Sequence, residues 1–198
     1  NCTGSGSGSV ESEVVGVHNG IIENYAELKE KLLKHGYQFY SQTDTEVVVK
    51  LVDYYYKKYK IGPIDAIAKT MVRVRGSYAL ELMFKDYPGE IWVARKESPM
   101  IIGIADGDTY VASDVPAILK YTRQVYYIGN HEFARLLPGE AHFYNLDGEE
   151  VCKEPARIEW DAEAAEKAGF EHFMMKEIHE QPKAVADTLH SVIKNGAI

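Results

Sequence analysis

Cysteine is scarce in this chain: Cys2 and Cys152 are the two thiols among 198 residues. Two cysteines so far apart cannot frame a small disulfide-stapled fold, and no basic start followed by an apolar centre marks a secretory segment. A reducing cytoplasm is therefore the expected compartment. Basic residues are also in deficit. Lys and Arg number 22 against 30 Asp and Glu, a formal charge of −8, and no long Lys/Arg cluster offsets it. Such a surface has no broad positive field for a phosphate backbone, so no nucleic-acid partner is expected. Apolar runs are short as well. None approaches the ~20 residues of a membrane-spanning helix, so no membrane partner is expected either. What is present is ordinary globular material, 45% hydrophobic and 26% charged, enough to close the core of one domain, at most with an appendage.

The first nine residues, Asn1-Cys2-Thr3-Gly4-Ser5-Gly6-Ser7-Gly8-Ser9, have nothing to pack, and residues 1–12 read as a flexible Gly/Ser tract. With no initiating Met, the chain reads as a fragment or a processed product. From residue 13, Val14, Val15 and Val17 make a strand that Asn19-Gly20 is expected to end in a tight turn. A helix then follows, with Asn24 as N-cap, Glu27 three residues on, Tyr25, Leu28 and Leu32 on one face, and Gly36 past its end. Glu27 with Lys31 and Glu30 with Lys34 have ion-pair spacing on its wet face. Residues 37–40 read as a short extended piece.

Thr43-Asp44-Thr45-Glu46 has the form of a capping box before the apolar stripe of Val48, Leu51, Val52, Tyr55 and Tyr59, and Pro63 opens a third helix carrying Ile64, Ile67, Met71 and Val74. From Ser77 the period turns to two. Hairpins are predicted around Pro88-Gly89 and Asp106-Gly107, and a short helix near Asp114 and Pro116. Further strands are predicted over 124–128, 133–137, 141–146 and 149–152. Helices first and strands afterwards argue for an α+β fold with antiparallel sheets. The expected organisation is a domain over 13–155 and a charged, then helical, segment over 156–198. That helix should be interrupted at Pro182.

Metal chemistry finds no support. His131-Glu132 and His179-Glu180 lack a second His four residues after the first, and the remaining His and Cys are scattered. The Gly4, Gly6, Gly8 series does not make a dinucleotide fingerprint, so no cofactor is expected. Two stretches remain. The Asn19 amide and the Gly20 N–H could meet at one point, as an oxyanion of acyl transfer requires, or could simply form a turn. Asp44 at a helix start could complement the helix dipole or bind a ligand ammonium.

The exact strings narrow this. Val17-His18-Asn19-Gly20-Ile21-Ile22-Glu23-Asn24-Tyr25, Thr43-Asp44-Thr45-Glu46-Val47 and Arg75-Gly76-Ser77-Tyr78-Ala79 resemble, in order and spacing, the glutaminase domains of the glutamine–fructose-6-phosphate aminotransferase (isomerizing) family, class II amidotransferases. Ser98-Pro99-Met100-Ile101-Ile102-Gly103, Ala112-Ser113-Asp114 and the stretch from Met175 to Pro182 agree. The resemblance implies an N-terminal-nucleophile hydrolase fold, a four-layer α/β/β/α sandwich with antiparallel sheets, in hexosamine biosynthesis. It implies that Asn19 and Gly20 form the oxyanion hole, that Asp44 grips the α-amine of glutamine, and that Thr43 and Thr45 support that helix start. Glutamine is the expected substrate. Fructose 6-phosphate would be bound by a sugar-isomerase domain that is not within these residues.

One departure matters. The family's Cys-Gly-Ile-Val-Gly opening, which supplies the nucleophile, and its Arg- and His-bearing loop do not occur here. The fold is thus expected to lack its nucleophile segment. Cys2, on a flexible tract, cannot be held with catalytic accuracy, and Cys152 reads as a small strand residue. The chain alone is expected to be inactive, with exposed sheet surface favouring a homo-oligomer. The alternatives are a non-catalytic relic that binds an amino acid or a partner, or another class II amidotransferase.

Overall fold

In a computed structural model, residues 13–159 and 170–192 are described. The expected Gly/Ser tract of residues 1–12 lies outside them. The chain divides into two compact units that meet at Ile158 and Glu159.

The first unit opens with β1 (Val14–Ile22), followed by three helices, α1 (Tyr25–Lys34), α2 (Asp44–Tyr59) and α3 (Pro63–Arg73). Strands β2 (Gly76–Phe84), β3 (Ile91–Lys96), β4 (Ile101–Ala105) and β5 (Asp108–Ala112) come next, then the short α4 (Val115–Leu119). The unit finishes with β6 (Gln124–Tyr127), β7 (Glu132–Leu137), β8 (Glu140–Tyr144), β9 (Glu150–Val151) and β10 (Ala156–Arg157). Two antiparallel sheets result, ordered β1-β2-β3-β7-β8-β9 and β10-β6-β4-β5.

Strand alternation assigns the faces. Tyr78, Leu80, Leu82 and Phe84 of β2, with Trp92 and Ala94 of β3, bury themselves against Val48, Leu51 and Val52 of α2 and Ile67 and Met71 of α3. The opposite face of the larger sheet presents Val93, Ala134, Leu136 and Phe143 to Met100, Ile102 and Ile128 of the smaller one. Beyond the smaller sheet, Ile118 and Leu119 of α4 pack on Ile101, Val125 and Ile158. The layers run helix, sheet, sheet, helix. Each fully buried aliphatic side chain contributes roughly 1.5–3 kcal/mol.

Local chemistry sets most boundaries. Pro63 occupies the first turn of α3, where its missing N–H costs nothing. Gly36, at φ 85°, ends α1 as its N–H donates to the Leu33 carbonyl and that of Tyr37 to Leu32. The Asp114 carboxylate caps α4 by accepting from the Ala117 N–H at 3.1 Å.

Several expectations fail for identifiable reasons. Asn19-Gly20 does not end β1, because pairing with β2 continues through Gly20↔Tyr78 to Ile22↔Gly76. Asn24 does not cap α1 with its side chain. Instead it accepts from the Arg75 N–H and donates to the Arg73 carbonyl, both at 2.9 Å, tying the start of α1 to the end of α3. Tyr25 is exposed rather than on the buried stripe of α1. Cys152 follows β9 and is exposed, so it is no strand residue. In the second unit, a helix, α5 (Phe173–Val192), continues through Pro182 rather than stopping there.

Candidate active site

The pairing of β1 with β2 fixes the His18-Asn19-Gly20 stretch. Gly20 has φ 133°, and a Cβ there would stand 2.2 Å from the Ser77 carbonyl oxygen, so only glycine lets the strands pass this closely. Asn19 borders a cavity of about 220 Å³ between the sheets, together with Glu81, Pro99, Met100 and Ser113. Its side-chain amide is exposed and makes no hydrogen bond among the described residues. Glu81 lies on the same face of β2, and burial pushes its carboxyl above the ordinary range.

On the other side of β1 stands the start of α2. Thr43, extended at φ −82° and ψ 144°, caps the helix by accepting from the Glu46 N–H at 3.3 Å. Glu46 turns its carboxylate to the Tyr40 and Ser41 N–H groups, the Ser41 hydroxyl and Lys50 Nζ, the last at 2.7 Å. Burial opposes ionisation there, but the bonds from Lys50, Ser41 and the two backbone amides outweigh it and hold the carboxyl at about 2.

Asp44 points at the β1 edge: its Oδ2 accepts the Ile22 N–H at 2.8 Å, and its Oδ1 is 4.0 Å from His18 Nδ1. The same His18 nitrogen is 3.2 Å from Thr45 Oγ1. The His18 side chain is 1% exposed. Burial lowers its pKa, outweighing the pull of Asp44 and of the nearby Ser77 backbone, and so favours the neutral imidazole.

The structure thus brings Asp44 and Thr45 together around His18 and ties them to β1, while Asn19 faces the inter-sheet cavity. Asp44 does not border that cavity. Nor is its carboxylate wholly free, because the Ile22 N–H occupies one oxygen. Two further residues of this region carry little signal in the sequence. His18 is a buried link between β1 and α2, visible in sequence only as the neighbour of Asn19. Glu81 is the acidic residue in the otherwise apolar 78–84 run. No group of three metal-ligating side chains occurs among the described residues, and no helix there is long and apolar enough to cross a membrane.

An antiparallel α/β/β/α sandwich carrying these strings at the junction of β1, β2 and α2 is a glutamine amidotransferase architecture. The chain belongs to the glutamine amidotransferase domain family, whose model matches residues 7–120. It is 51% identical over 179 residues to the glutamine–fructose-6-phosphate aminotransferase (isomerizing) of Caldanaerobacter subterraneus subsp. tengcongensis, covering 90% of this chain. The corresponding enzyme of Clostridium acetobutylicum is also 51% identical, over 180 residues and 91% of the chain. The chain spans 29% of the length of each. The solved glutamine phosphoribosylpyrophosphate amidotransferase of B. subtilis superposes with a TM-score of 0.56 over 68% of this chain and 29% of its own, at 24% identity. That likeness shows a shared fold.

Proposed function

We propose that this chain is the glutamine-hydrolysing part of a glutamine–fructose-6-phosphate aminotransferase. The observation that carries the reading is 51% identity across 90% of the chain, beside a family match over residues 7–120 that takes in both the His-Asn-Gly and the Thr-Asp-Thr stretches. In this reading a thiolate attacks the carboxamide carbon of glutamine, the tetrahedral oxyanion expels ammonia, and water cleaves the thioester to glutamate. The ammonia passes to fructose 6-phosphate, giving glucosamine 6-phosphate on a part of the protein outside these residues.

The Asn19 amide and the Gly20 N–H are assigned to the oxyanion. The exposed Asn19 side chain, without a hydrogen bond among the described residues, supports this, since a donor that waits without a partner costs no reorganisation when charge develops. Asp44 is assigned to the α-ammonium of glutamine, through the carboxylate face that the Ile22 N–H does not use. Thr43 and Thr45 hold Asp44 in place, Thr43 by capping α2 and Thr45 by its contact with His18. The domain boundary near residue 155, a cytoplasmic setting and self-association belong to the same reading. The exposed Val17, Ile21 and Met83 on β1 and β2 support self-association.

The test is a chimera in which this chain replaces the matching segment of the Caldanaerobacter relative. It should aminate fructose 6-phosphate with glutamine as donor, and Asn19→Ala should lower kcat by roughly two to three orders of magnitude with little change in KM. An unchanged kcat would return Asn19 to a structural role. An inactive chimera that still binds glutamine would identify a non-catalytic relic. The 198 residues by themselves should release no ammonia, and steady release abolished by Cys2→Ala would contradict this.

A further inference from the structure

Away from that site, α1, α2 and α3 enclose a groove of about 580 Å³, closed on one side by Leu146 and Asp147. Four cations border it, Lys31, Lys58, Lys69 and Arg73, against the carboxylates of Asp65 and Asp147. In a chain of formal charge −8, this reverses the local balance. No described carboxylate lies within ion-pair distance of any of the four. Lys31 leaves the Glu27 partner that its spacing offers.

The lysines are instead held by tyrosines. Lys31 Nζ is 3.3 Å from the Tyr55 hydroxyl and 5.5 Å from the Tyr54 ring centroid. Lys58 Nζ donates to the Tyr54 hydroxyl at 2.5 Å and lies 5.4 Å from the Tyr59 ring, and Lys69 Nζ is 5.6 Å from that same ring. Cation–π contact orients each ammonium while leaving protons on it for an anion, which reduces the ordering cost of binding one. Tyr59 stacks on Tyr55 with centroids 6.1 Å apart and is 50% exposed, so part of its ring stays open to a further flat ring beside the two ammoniums that lie over it.

We propose that this groove binds a nucleoside polyphosphate, with the base on Tyr59 and the phosphates among Lys31, Lys58, Lys69 and Arg73. The volume suits a ligand of that size. Four cations with no ion-pair partner among the described residues suit the charge of a polyphosphate, and the exposed ring suits a base. The site is separate from the Asn19 and Asp44 region, and its test reads binding rather than catalysis, so it stands or falls independently of the glutaminase reading.

The test is calorimetric titration of the 198-residue chain at low salt with ATP, tripolyphosphate and adenosine. ATP should bind saturably and more weakly as salt rises, with tripolyphosphate and adenosine each at least about fivefold weaker. Lys58→Gln combined with Lys69→Gln should weaken ATP about tenfold or more, since two charge-assisted contacts are lost. Tyr59→Leu should weaken ATP but not tripolyphosphate. Lys120→Gln is the control, because Lys120 lies over Tyr121 in the same manner but outside the groove, and it should change nothing. Melting curves confirm that each variant is folded. Absence of saturable ATP binding, or binding indifferent to the paired lysine change, would overturn the proposal. Tripolyphosphate binding as tightly as ATP, with Tyr59→Leu silent, would overturn its assignment to a nucleotide.

Discussion

Replacing Glu46 by Gln removes a carboxylate that is 2% exposed and bonded to Lys50 Nζ, the Ser41 hydroxyl and two backbone amides. These bonds draw the Tyr40-Ser41 segment onto the first turn of α2, the turn that presents Thr43, Asp44 and Thr45. The wild-type carboxyl falls from an ordinary 4.5 to about 2 on folding. At about 1.4 kcal/mol per pH unit this amounts to about 3 kcal/mol of stability at neutral pH. Lys50, 3% exposed, keeps its bond to the Gln38 carbonyl but loses its counter-charge, and breaking a buried pair from one side gives a loss of the same order, about 3 kcal/mol.

The sign follows from the direction of the shift. A depressed carboxyl stabilises fully above its unfolded value, near 4.5, and loses that contribution as pH falls towards 2. Urea unfolding of wild type and Glu46→Gln at pH 7 and pH 3, followed by circular dichroism, reads both quantities. The difference should be about 3 kcal/mol at pH 7 and less than about half of that at pH 3. A difference below about 1 kcal/mol at pH 7, or one that does not shrink in acid, would refute the claim that this ionised carboxylate holds the helix start.

In the chimera, Asp44→Asn should raise KM for glutamine about tenfold or more through lost charge pairing, while Asn still accepts the Ile22 N–H. A lowered melting temperature with unchanged KM would leave Asp44 a purely structural role. Gly20→Ala should destabilise the chain by more than about 2 kcal/mol, because the β1–β2 approach leaves no room for a methyl group. Gly107→Ala, at φ 85° with open space around it, should cost only about 1 kcal/mol, and equal melting temperatures for the two variants would refute the close-approach argument.

The parts of the fold legible in the sequence are those set by neighbours along the chain. Thr43, Pro63, Gly36 and Asp114 mark helix ends by bonds made within a few residues, and Asp106-Gly107 turns β4 back as β5 because Gly107 takes positive φ at no cost. What misleads is decided at long range. Asn19-Gly20 has the chemistry of a turn, yet β2, arriving from beyond three helices, offers ladder bonds on both sides of it and keeps the chain extended. Asn24 has the chemistry of a cap, yet Arg73 and Arg75 come close enough to claim both ends of its amide. The two-residue strand β10 has too little sequence to show a period, and exists because Val125 and Gln124 pair with it.

The site was legible as a set of residues but not as an arrangement, and β1 supplies the missing geometry. Successive residues of a strand face opposite ways, so with His18 directed at Thr45 and Asp44, Asn19 must look towards the inter-sheet cavity. Asp44 approaches neither face squarely, because it is held by the Ile22 N–H, which lies in the plane of the sheet on the edge turned away from β2. In the proposed reading, a substrate that places its carboxamide at Asn19 and its ammonium at Asp44 must therefore lie across that edge, passing over Gly20. A Cβ at position 20 would point at the Ser77 carbonyl and the Tyr78 backbone of β2, away from that edge, so the glycine is demanded by the ladder, while the proposed path of glutamine runs along the opposite edge.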